Sequence, residues 1–61
     1  MSHYPVEVVE RVIVNLAMKE DPIAAYDLIF DTPELSQEME SGNLTAPEML
    51  CRIIWRANDA K

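Results

Sequence analysis

The chain has 61 residues, 49% of them hydrophobic, and a formal net charge of −6 at pH 7. That length holds one domain, residues 1–61, and is marginal for a hydrophobic core standing alone. A single cysteine excludes an internal disulfide, and a single histidine, His3, brings no second ligand type at metal spacing.

The hydrophobic richness argues against disorder, because such a chain has much to bury. No apolar run reaches the roughly 18 residues of a membrane span. The opening MSHYPVEVVE lacks the basic start and apolar centre of a signal peptide. A cytoplasmic location is therefore expected, and a free thiol suits a reducing compartment.

Pro5 suits a first helical turn, and apolar periodicity runs from Val6 to Met18. A first helix is expected over residues 5–20. On a helical wheel Val6, Val8, Val9, Val12, Ile13, Leu16 and Ala17 cover about half the circumference. They form the expected core face. Val14 and Met18 fall outside it, among Glu7, Glu10, Arg11 and Asn15.

Asp21-Pro22 reads as an N-cap followed by a first-turn proline, which opens a second helix over residues 22–31. Ile23, Ala25, Tyr26, Leu28, Ile29 and Phe30 give it a wide apolar arc, with Asp27 and Asp31 facing away. Thr32-Pro33-Glu34 repeats the start signal. It predicts a short third helix over residues 33–40, pinned by Leu35 and Met39. This is the weakest of the four signals, and an irregular loop is the alternative. In Ser41-Gly42-Asn43 the only glycine stands where it can end a helix.

Thr45-Ala46-Pro47-Glu48 is a capping box, with a Thr cap and a Glu three residues on. The fourth helix follows over residues 46–58. Met49, Leu50, Cys51, Ile53, Ile54, Trp55 and Ala57 cover about two-thirds of its circumference. Glu48, Arg52, Arg56 and Asp59 make the polar strip. Spacing by four allows Glu48, Arg52 and Arg56 an ion-pair ladder worth a few tenths of a kcal/mol per pair. The predicted fold is all-α: a compact bundle of three to four short helices without strands.

Residues 6–14 can be laid over 47–55 with Glu, Arg and the second Ile matching. Two amphipathic helices converge on such a pattern by chance, so no repeat is inferred. Val14 and Trp55 occupy equivalent places in it.

From Glu20 to Cys51 there is no Lys or Arg. Asp27, Asp31, Glu34 and Glu38 are spaced four, three and four, and approximate one acidic face that Pro33 interrupts. A solvated face is the plainer reading, and docking onto a basic partner is the functional one. The same charge disfavours direct binding to nucleic acid or anionic membrane.

No motif in the sequence carries chemistry. Nothing holds Cys51 beside His3, and there is no phosphate loop, Cys/His cluster or nucleophile elbow. An enzyme is not expected, nor is a cofactor or metal. The apolar arcs instead exceed what a small bundle needs. Val14, Met18, Cys51 and Trp55 are the expected contact residues, and a twofold homodimer through the first and last helices would cover them. The expected function is a small, acidic, non-enzymatic protein-interaction module that self-associates and binds, or inhibits, another protein.

The alternative is a nucleic-acid-linked regulator. It would be either a divergent helix-turn-helix with an acidic recognition segment, or an acidic mimic of DNA that blocks a DNA-binding protein. In size and charge the chain resembles the compact acidic accessory proteins of phages and other mobile elements. That likeness covers no motif.

Overall fold

In the computed structural model, which describes residues 4–59, the chain forms four α-helices. They are α1 (Val6–Met18), α2 (Pro22–Asp31), α3 (Pro33–Ser41) and α4 (Ala46–Asp59). His3 and Lys61 lie outside the described residues. The segment with the weakest signal, residues 33–40, is a helix and runs one residue further than predicted.

Local chemistry explains most boundaries. The Asp21 carboxylate accepts a hydrogen bond from the Ala24 N–H at 3.4 Å, so it caps α2 ahead of Pro22. Thr32 is extended and contributes no side-chain cap. Its carbonyl instead accepts from the Leu35 and Ser36 N–H groups at 3.0 and 2.9 Å. Pro5 also lies outside its helix, and its carbonyl accepts from Val8 and Val9.

The Thr45 box is complete. The Glu48 carboxylate accepts from the Thr45 N–H at 2.8 Å and from its hydroxyl at 3.1 Å, while Thr45 Oγ1 accepts from the Glu48 N–H at 3.4 Å. The bond from the Thr45 backbone, followed by that from its hydroxyl, holds the Glu48 carboxyl below its usual pKa. The ionised form is thus favoured in the fold. Its contribution is full above the ordinary carboxylate pKa and is lost as pH falls through the lowered value. Glu48→Gln should therefore be less stable than the parent near neutrality, and the gap should close below about pH 4. Urea melts across a pH series measure it.

Two helix ends use a left-handed residue. After α1, Glu20 has φ +61°. Its N–H donates to Ala17 at 3.1 Å, and the Asp21 N–H donates to Leu16 at 2.9 Å. After α3, Asn43 has φ +52°, with matching bonds to Glu40 and Met39 at 3.2 and 2.9 Å. Both are Schellman ends. Gly42, expected to end the helix, has an ordinary φ of −87°. It is a close-approach position: a Cβ there would lie 3.2 Å from Leu44 Cγ and 3.3 Å from the Glu38 carbonyl. Glutamate gains nothing from the left-handed region, where an L side chain is strained. Glu20→Gly is expected to stabilise the fold by about 0.5–1 kcal/mol, read from the urea midpoint.

α1 packs on α2 and α4, and α2 also packs on α3 and α4. Ile13, Ala25, Ile29, Leu35, Met49, Leu50 and Ile53 form the buried centre, so every helix contributes. Burial of each large member is worth about 1.5–3 kcal/mol.

The orientation of α1 differs from the wheel expectation. Val8 and Val12 are about 45% exposed, while Val14 packs partly against the core. An ion pair accompanies this orientation. Arg56 Nη2 donates to the Glu10 carboxylate at 2.6 Å, leaving the Glu10 side chain only 15% exposed. Turning Glu10 toward α4 carries Val14, one turn on, inward and swings Val8 and Val12 outward.

Candidate interaction surface

The expected contact residues differ in burial. Val14 is half-buried against the core. Met18 is exposed at the last position of α1. Cys51 and Trp55 are exposed one turn apart on α4. Buried Met49, Leu50 and Ile53 define the inward face of α4, and Trp55 projects from the opposite side rather than from the margin of the apolar arc. Its side chain is 75% exposed, and a shallow depression beside it is lined by Asn58 and Asp59.

Cys51 and Trp55 thus stand together on α4.

The arginines of α4 do not build the expected ladder with Glu48, which is engaged in the Thr45 cap. Arg56 Nη1 instead donates to both oxygens of Glu38 at 2.9 Å, while Nη2 reaches Glu10. Arg52 Nη1 adds a longer bond to Glu38 at 3.3 Å. One guanidinium so links α1, α3 and α4. Partial burial works against the Arg56 charge, but the hydrogen bond to Glu38 and the charges of Glu10 and Glu38 outweigh it and raise its pKa. The pairs are partly solvated and of modest individual worth, but two of the three share the Arg56 guanidinium and so tie α1 and α3 to α4.

This arrangement divides the predicted acidic face. Asp27, Asp31 and Glu34 are exposed. Glu38 is half-buried and is neutralised by Arg56 and Arg52. Thr32 breaks the helix between the two halves. The remaining carboxylates border a surface the sequence reading assigned to the core. Ile23 and Phe30, placed in the apolar arc of the second helix, are 72% and 58% exposed. Spacing by seven would have grouped them, but nothing in the sequence says which edge of so wide an arc is left bare.

Among the described residues, no group of three His, Cys, Asp or Glu side chains is placed to hold a metal ion, and no helix is long and apolar enough to cross a membrane. Comparison with protein-family models, curated proteins and solved structures finds no match.

Proposed function

We propose that this chain is a small, acidic, non-enzymatic interaction module of the cytoplasm that self-associates through the outer face of α4 and acts by binding another protein. The observation that carries this reading is Trp55, a large aromatic side chain 75% exposed on the side of α4 opposite the core. Aromatic side chains of this size dominate contact energetics when a partner covers them. Trp55 is not alone: Tyr4, Val8, Val12, Met18, Ile23 and Phe30 are exposed as well, so as many large apolar side chains face outward as hydrophobic residues lie buried. Glu48, Arg52 and Asp59 beside Trp55 supply charges of both signs, so two copies of this face meet without uniform repulsion.

Sedimentation equilibrium over a wide concentration series tests the reading, with a reversible monomer–dimer equilibrium as the expected result. A strictly monomeric chain at the highest concentration refutes the self-association. The helix-turn-helix alternative has less support, because α3, in the place of a recognition helix, carries Glu34, Glu38 and Glu40 and no basic residue.

A further inference from the structure

The α2–α3 side carries a second contact surface of different chemistry. Ile23 and Phe30 project from one flank of α2, with half-buried Tyr26 between them at spacings of three and four. Phe30 then forms one wall of a shallow groove of about 420 Å³, whose other lining residues are Ser36, Met39, Glu40, Asn43 and Leu44. Met39 and Leu44 are half-buried and supply an apolar floor. From Glu20 to Cys51 the chain has eight carboxylates and no Lys or Arg. Glu38 alone of these is paired with the arginines of α4.

The geometry points to this groove as the docking site for a basic amphipathic segment of a partner protein, with a large apolar side chain entering beside Phe30 and flanking Lys or Arg side chains facing Asp27, Asp31 and Glu40. Charge decides among occupants. A second copy brings a net charge of −6, which disfavours it as a whole, and phosphate backbones and anionic lipid are repelled in the same way. An apolar groove with Glu40 in its lining and Asp27 and Asp31 exposed on the neighbouring helix matches a helix that presents apolar anchors at spacings of three and four with basic residues between them. The inference rests on the chain being an interaction module, but not on its self-association through α4.

The test is a titration of the isotopically labelled full chain, followed by amide NMR, with a synthetic peptide of about four helical turns built from Leu and Lys. A Leu/Glu peptide of the same pattern and an oligolysine of the same length are the controls. Shifts centred on Phe30, Met39 and Leu44 are expected with the Leu/Lys peptide alone, weakening as salt is raised. Phe30→Ala and Glu40→Lys should each lower the affinity at least tenfold while circular dichroism stays unchanged. Equal binding of either control, shifts centred on Trp55, or undiminished affinity in Phe30→Ala overturns the proposal. Sedimentation of the same samples separates the two surfaces. A monomeric chain that still binds the peptide supports the groove and overturns only the α4 contact. A self-associating chain that ignores the peptide overturns the groove.

Discussion

Ile29→Ala is expected to remove a large share of the stability of the fold. Ile29 is fully buried, and its helix is the one packed against all three others. Truncating a buried isoleucine costs about 2–5 kcal/mol, the upper part of that range where the walls cannot collapse. Three surrounding helices, tied to one another by short turns and the Arg56 bridges, leave little room for collapse. A chain of this length has about 3–9 kcal/mol in total at typical values per residue. One cavity therefore removes half or more of it. Ile23→Ala is the matched control: the same change in the same helix, at a side chain 72% exposed, should shift stability by less than about 0.5 kcal/mol. Far-ultraviolet circular dichroism during urea and thermal melts reads both. Equal effects at the two positions would refute the assignment of the core.

Trp55→Ala should abolish measurable self-association without weakening the fold. The exposed indole makes few contacts within its own chain, and alanine is the better helix former, so at concentrations where the parent is monomeric the melt should stay the same or shift slightly upward. A central aromatic in an interface contributes about 2 kcal/mol or more. In a twofold assembly the substitution occurs twice, so the dimer loses about 4 kcal/mol, close to a thousandfold in its dissociation constant. Sedimentation beside the parent chain measures it. A dimer unchanged in the variant would move the contact to another face, with exposed Val8 and Val12 on α1 the next to be substituted.

What was legible in the sequence was local. Asp21 before Pro22 and the Thr45–Glu48 box cap α2 and α4 as read, because a cap is settled within four residues. The all-α class follows from the same short-range signals. Orientation was less legible. The apolar arc of α1 is wide enough to centre in more than one way, and the observed orientation, with Val14 inward and Val8 and Val12 outward, is the one in which Glu10 meets a guanidinium 46 residues away. The neutralised Glu38 has the same origin, since its partners lie 14 and 18 residues on, in another helix. The left-handed Asn43 beside an ordinary Gly42 shows a subtler limit: two adjacent residues can both fill that position, and their order in the sequence does not say which does.

Three of the seven buried side chains, Met49, Leu50 and Ile53, belong to α4. During synthesis, α1 to α3 therefore exist for a time with their shared interior open. At about 5–20 residues per second, the stretch from the end of α3 to Asp59 takes roughly one to four seconds to add. Over that interval Ile13, Ile29 and Leu35 lack the α4 side chains that cover them, and the interior closes when α4 seats Met49, Leu50 and Ile53 and Arg56 reaches both Glu10 and Glu38.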